Sequence, residues 1–253
     1  MKEQLYTIPL NDAVAANDEC PFCYIERSLE QDLLDFCLGS GSSYMESDIR
    51  DLTDRAGFCR RHFKAMFDYG NTLGNGWILK THSRRMIEAF SKEAEKMRPG
   101  KKGLRIFAKK DADSANSLTA WIRERESSCY ICEEYEKTYE RYLATFFYLW
   151  KGDDAFREKI RSGKGFCLPH LADLCDGADA ELSGSDLEEF YETVLPLTKD
   201  NLVRVHEDIA WLIEKFDYRN KDADWKNSRD AIQRCMQKLK GGYPADAPYR
   251  QSK

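Results

Sequence analysis

Cys20-Pro21-Phe22-Cys23, answered by Gly57-Phe58-Cys59-Arg60-Arg61-His62, returns later in the chain as Cys129-Tyr130-Ile131-Cys132 and Gly165-Phe166-Cys167-Leu168-Pro169-His170. The gap between inner cysteines is 35 residues in the first copy (24 to 58) and 34 in the second (133 to 166), so ligand order and spacing both recur. This is the pattern of a duplication. A Cys-x-x-Cys turn offers two thiolates side by side, and a Cys-x-x-His on the first turn of a helix offers a thiolate and an imidazole. Two metal sites of type Cys3His are therefore expected, Cys20, Cys23, Cys59 and His62 in one copy and Cys129, Cys132, Cys167 and His170 in the other, each pinning two helix starts of its own copy.

Thiolate and imidazole donors favour zinc, two ions per chain, over an iron–sulfur cluster, which is usually held by cysteine alone. A redox role for the Cys-x-x-Cys pairs lacks the βαβ pattern such motifs need. Four protein donors close a tetrahedron and leave no position for an activated water, so both sites read as structural. The remaining cysteines, Cys37, Cys175 and Cys235, fall on apolar helix faces and are expected in the core without metal.

The surrounding pattern is helical, with no alternating strand. Leu29, Leu33, Phe36 and Cys37 share a stripe after the first Cys-x-x-Cys. Tyr135, Tyr139, Tyr142 and Phe146 do so after the second, and Leu33 aligns with Tyr142 and Cys37 with Phe146. A short helix with Ile49 and Leu52 inward is matched by one with Ile160. His62 is followed by Phe63, Met66 and Phe67 on one face, and a helix is expected over about 74–97 with Ile78, Leu79, His82, Met86, Ala89 and Phe90 buried. Asp176-Gly177-Ala178-Asp179 reads as a loop, Ser183 or Ser185 as a cap, and Pro196 as a kink or break. Leu202, Val205, Ile209, Leu212, Ile213 and Phe216 form a long apolar face. A last helix over about 227–240 presents Ile232, Cys235, Met236 and Leu239, with Gly241 as its stop. The start is read as extended around Pro9 with a turn at Asn11-Asp12-Ala13.

The fold class that follows is all-α, two tandem pseudo-repeats each with a Cys3His zinc site, plus a long C-terminal helix and a short final one. The division expected is 1–98 for the first repeat, 99–115 for a basic linker, 116–242 for the second repeat with the C-terminal helices, and 243–253 for a tail. Arg98, Lys101, Lys102, Arg105, Lys109 and Lys110 carry no acidic residue among them; the stretch reads first as a solvated connector, and contact with an anion or nucleic acid is the alternative. The overall charge of −5 argues against a dedicated nucleic-acid binder. The longest apolar run, Phe146 to Trp150, falls far short of the ~20 residues a membrane span needs. With no secretory pattern at the start and an odd number of cysteines, nine, the expected setting is the reducing cytoplasm.

The stretch Ile8-Pro9-Leu10-Asn11-Asp12-Ala13, the Cys-Pro-x-Cys and the twice-used Gly-Phe-Cys-x-x-His together resemble an uncharacterised family of Gram-positive, mostly clostridial, bacterial proteins. The resemblance spans nearly the whole chain and implies an all-helical cytosolic protein of unassigned role. Second-copy Tyr130 departs from the proline of the first.

No His-Glu-x-x-His, Gly-x-Ser-x-Gly, P-loop or dinucleotide fingerprint is present. The leading functional expectation is a zinc-binding helical scaffold for a protein or small-molecule partner. The alternatives are an enzyme with its site in a groove between the repeats, and an anion or nucleic-acid binder using the linker. For a ligand, the expected pocket joins His82, His206 and Trp77, with Gly74-Asn75-Gly76 allowing close approach of a backbone or an anion.

Overall fold

A computed structural model describes residues 5–41, 43–97 and 112–251. The basic stretch from Arg98 to Lys110 lies outside them. The described residues form eleven α-helices and no strand, in the order α1 (Thr7–Ala15), α2 (Pro21–Leu38), α3 (Ser47–Ala56), α4 (Arg60–Tyr69), α5 (Thr72–Lys96), α6 (Ala112–Ser127), α7 (Tyr130–Gly152), α8 (Asp154–Arg161), α9 (Leu168–Glu181), α10 (Gly184–Glu214) and α11 (Ala231–Lys240). The all-α architecture read from the sequence is the one observed. The order of α2 to α5 recurs in α7 to α10, each series running through a Cys-x-x-Cys helix, a short helix, a Cys-x-x-His helix and a long helix.

The chain packs as two compact units whose boundaries cut through α2 and α7: one comprises 1–29 with 137–247, the other 30–136 with 248–253. In the first unit the core is aromatic. Phe146 is fully buried and meets Phe22, Phe166 and Phe190 at ring distances of 5.9, 6.1 and 6.3 Å, while Trp150 stacks on it at 6.1 Å. Such contacts add about 0.5–1.5 kcal/mol each to simple burial. In the second unit Leu34, Cys37 and Leu38 of α2 pack with Phe58, Met66, Tyr69, Ile78 and Ile131.

Several local expectations change. Pro9 lies inside α1, in its first turn, where the missing N–H would have had no helical partner, and Leu10 and Ala13 are buried. Asp176 to Asp179 is helix, not loop: Gly177 lies where a Cβ would come within 2.5 Å of Phe147 Cε2, so its glycine serves helix packing. Gly74 does the same for α5, with Leu38 Cδ2 at 3.0 Å from a built Cβ and Asn71 capping through its side chain. α10 runs unbroken through the exposed Pro196, held on either side by buried Val194 and Thr198, and Ser183 is its N-cap. Leu52, Phe67, Leu79, Phe90, Ile213 and Phe216 are exposed instead of inward. Cys37 is in the core as expected, whereas Cys175 and Cys235 are half-buried.

The largest reversal is α11, which starts at Ala231 and buries its polar side. Arg234, Gln237 and Lys238 are inward while Ile232, Met236 and Leu239 face outward. The cause is a set of buried partners. Arg234 donates to Asp208 at 2.8 Å, Gln237 to Asp18 at 2.6 Å, and Lys238 to the carbonyl of Glu19 at 2.5 Å and to that of Lys164. Matched hydrogen bonds remove the cost of burying these groups, so apolar periodicity loses its authority over which face turns in.

Candidate metal centres

All eight predicted ligands come together, but not within their own copies. Cys20 and Cys23 gather with Cys167 and His170, and Cys129 and Cys132 with Cys59 and His62. The expectation that each copy closes its own site is corrected: every cluster takes its Cys-x-x-Cys from one copy and its Cys-x-x-His from the other.

Helix lengths give the reason. At ~1.5 Å per residue, the residue seven places beyond an inner cysteine is roughly 10 Å along its helix. There the same copy's Cys-x-x-His helix docks: His62 Nε2 reaches Glu30 Oε1 at 3.4 Å, and His170 lies 5.8 Å from Tyr139, ring to ring. Glu30 and Tyr139 each stand seven after Cys23 and Cys132. The returning Cys-x-x-His helix therefore delivers its ligands two turns away from its own copy's Cys-x-x-Cys.

The Gly-Phe-Cys signature builds the ligand turn. Gly57 and Gly165 hold φ of 66° and 72°, a region open to glycine, and a Cβ on Gly57 would sit 2.8 Å from His82 Cε1. The cysteine two residues on, Cys59 or Cys167, is the extended N-cap of α4 or α9. Its sulfur faces the positive end of a helix, which favours the thiolate. Across from Gly57, the carbonyls of Arg55, Ala56 and Gly57 accept from Arg125 Nη1, Ser128 Oγ and Tyr130 N at 2.8, 2.7 and 2.9 Å. The open end of α3 is thus stitched to the second copy's Cys-x-x-Cys helix, and Tyr130 does this through its backbone N–H, which the proline of the first copy lacks.

The geometry fits a four-coordinate metal ion, with zinc setting the scale. Zn–S of ~2.3 Å and Zn–N of ~2.0 Å at tetrahedral angles separate sulfurs by ~3.8 Å and sulfur from nitrogen by ~3.5 Å. In the first cluster Cys23 and Cys167 sulfurs lie 3.7 Å apart, and His170 Nδ1 lies 3.4, 3.5 and 3.1 Å from Cys20, Cys23 and Cys167. In the second, Cys59 and Cys132 sulfurs lie 3.9 Å apart, and His62 Nδ1 lies 3.3, 3.1 and 3.3 Å from Cys59, Cys129 and Cys132.

Both histidines point Nδ1 at the thiols and Nε2 at a carboxylate, Glu30 for His62 and Glu26, at 4.0 Å, for His170. Such a carboxylate orients a ligating imidazole and strengthens it as a donor. Glu30 is itself buried and held by Arg61 and Tyr249. Sequence reading passed over both, although Glu26 and Glu30 follow Cys23 at helical spacings of three and seven. Without metal the clusters hold protons in unusual places. Burial would raise the Cys129 thiol, but bonds from His62 and the backbone of Cys59 and Cys132 bring it down to about 6, whereas burial and its neighbouring thiols push Cys132 up to about 12. Burial would lower His170, yet the thiols of Cys167, Cys20 and Cys23 raise it well above the ordinary imidazole range. A divalent cation bound here would replace these protons.

The two clusters differ in exposure. The first is buried throughout, and Gly241 closes over it, a Cβ there standing 3.7 Å from Cys167 Sγ. In the second, Cys132 is exposed and Cys59 half-buried. Beside it opens a cleft of about 850 Å³ bordered by Gly57, Cys59, Arg60, His82, Met86 and Trp121. His82 donates through Nδ1 to the Asp54 carbonyl at 3.1 Å. Trp77 and His206 are not among the cleft's residues; His206 is exposed on α10 in the other unit. The three-residue pocket expected from the sequence is thus not the one that His82 borders.

No described helix is long and apolar enough to cross a membrane. No curated protein and no solved structure matches the chain. One family profile does, over residues 1–246, and with nearly the whole sequence covered the chain belongs to DUF6062, a family of unknown function.

Proposed function

We propose that this chain is a cytosolic zinc-binding helical scaffold carrying two structural zinc ions, and that it binds a protein or small-molecule partner. The observation that carries the reading is the agreement of both Cys3His clusters with the separations of a tetrahedral zinc, each with a carboxylate behind its histidine. Four protein donors complete each ion, so the zinc holds helices rather than activating water. Nine thiols, none in a disulfide, suit a reducing compartment.

The cleft beside the partly exposed cluster is where a small ligand would bind. With Nδ1 committed to Asp54, the Nε2 of His82 is left as an acceptor, and Arg60 adds an exposed cation beside apolar Met86 and Trp121. Elemental analysis of protein purified without added metal tests the scaffold: about two zinc ions per chain is the expected result, and iron with acid-labile sulfide, or no metal, overturns it. A metabolite thermal-shift screen on the zinc-loaded chain tests the binding role. Hits that survive His82→Ala and Arg60→Ala unchanged would move the ligand elsewhere.

A further inference from the structure

The described residues include two non-glycine positions in the left-handed region, Asn17 (φ 54°) and Lys226 (φ 49°), and both line one cavity of about 630 Å³ in the unit that holds the buried metal cluster. Left-handed backbone is uncommon for a lysine, and residues held in sparse conformations gather at sites of function. A second, independent feature lies on the cavity wall. Glu19 is 4% exposed, and while its Oε2 accepts from Arg204 Nη2 at 2.5 Å and faces Lys238 Nζ at 3.4 Å, its Oε1 has no hydrogen bond among the described residues. The Arg234 guanidinium approaches that oxygen only to 3.9 Å. A buried carboxylate oxygen left without a donor is an acceptor in want of one.

The rim has the opposite character. Lys164, Arg204, Lys226, Arg229 and Arg234 line the cavity against the carboxylates of Glu19 and Asp230. Arg204 and Arg234 are spent on internal partners, and Lys164 donates to the Asn17 carbonyl at 2.7 Å. Among the described residues the side chains of Lys226 and Arg229 make no hydrogen bond or ion pair; they lie over Trp211 and Trp225, the Lys226 ammonium 3.9 Å and the Arg229 guanidinium carbon 5.5 Å from the ring centres. Two cations that rest on indole rings, with their N–H groups unpaired among the described residues, line the cavity together with an acceptor left unfilled. The cation excess suits a dianion better than a monocarboxylate, because each additional charge gains another charge-assisted hydrogen bond.

We propose that this cavity binds a small phosphomonoester bearing a hydroxyl or amino group, the phosphate on Lys226 and Arg229 and the donor group on Glu19 Oε1. The site is separate from the cleft beside the partly exposed cluster. It adjoins the buried one, since Glu19 precedes Cys20 and Lys238 ties the Glu19 carbonyl to that of Lys164. Binding there leaves the zinc in place.

Calorimetric titration of the zinc-loaded full chain at fixed ionic strength, with inorganic phosphate, glycerol phosphate and glucose phosphate as probes, tests this. A hydroxyl-bearing ester should bind saturably and at least about tenfold more tightly than inorganic phosphate, a difference one good hydrogen bond to a charged group supplies. Lys226→Glu and Arg229→Glu, both at exposed positions, should each weaken that ester by about tenfold or more without loss of zinc. Glu19→Gln should abolish the preference for the ester over inorganic phosphate. Should that variant fail to fold, Lys226→Gly decides: freed from the left-handed strain it should melt no lower than the parent yet bind the ester more weakly. Absence of saturable binding by either ester, equal affinity for inorganic phosphate, or unchanged binding in the rim variants overturns the proposal.

Discussion

Exchange of ligands between the copies makes a sharp prediction for paired substitutions. Replacing Cys20 and Cys59 together, both from the first copy, removes one ligand from each cluster, because Cys20 belongs with His170 and Cys59 with Cys132. The chain Cys20→Ser/Cys59→Ser should therefore lose both zinc ions. Cys20→Ser/Cys167→Ser, from different copies, removes two ligands from one cluster and should keep one ion. Closure within each copy predicts the reverse for both variants. The clusters also close loops of different length: Cys20 and His170 are 150 residues apart and Cys59 and Cys132 are 73. Closure entropy grows as (3/2)RT ln n, so the roughly twofold difference makes loss of the first cluster costlier by about 0.6 kcal/mol in unfolding free energy. Its complete burial adds to that. The zinc count, by elemental analysis after exhaustive dialysis, is the decisive readout, and denaturant unfolding gives the energetic order. One zinc per chain remaining in Cys20→Ser/Cys59→Ser would refute the exchange.

Chelator should strip the chain in two phases, the exposed Cys132 cluster first and the buried one later; a colorimetric zinc assay with simultaneous alkylation should label Cys132 in the fast phase, and a single phase counts against the asymmetry. Gly57→Ala places a Cβ at positive φ and 2.8 Å from His82 Cε1, costing about 2–4 kcal/mol from backbone strain and overpacking. Urea unfolding of Gly57→Ala with His82→Ala should recover the packing share of that loss, and full additivity would show that the two do not meet. Lys238→Met leaves the carbonyls of Glu19 and Lys164 without their donor and Glu19 short of a cation. Breaking a buried charged contact of this kind costs about 3–5 kcal/mol, and a calorimetric melting temperature equal to the parent's would contradict the role given to Lys238.

The sequence by itself determined the helical class and all eight candidate ligands, because a Cys-x-x-Cys or Cys-x-x-His constrains chemistry within a single turn and needs no knowledge of where the chain goes next. It also placed the stop at Gly241, where φ is 74°. Which thiols share an ion was decided only in three dimensions. Near-equal intervals close equally well within a copy or between copies, and the choice turned on how far along α2 and α7 the returning ligands dock, beside Glu30 and Tyr139. The inward face of α11 was likewise out of reach of periodicity. Ile232, Met236 and Leu239 make the apolar stripe, yet Arg234, Gln237 and Lys238 turn in because Asp208, Asp18 and the Glu19 carbonyl, all distant in sequence, supply their hydrogen bonds. Hydrophobic pattern is a local property, whereas the satisfaction of a buried polar group depends on partners that only the folded chain brings near.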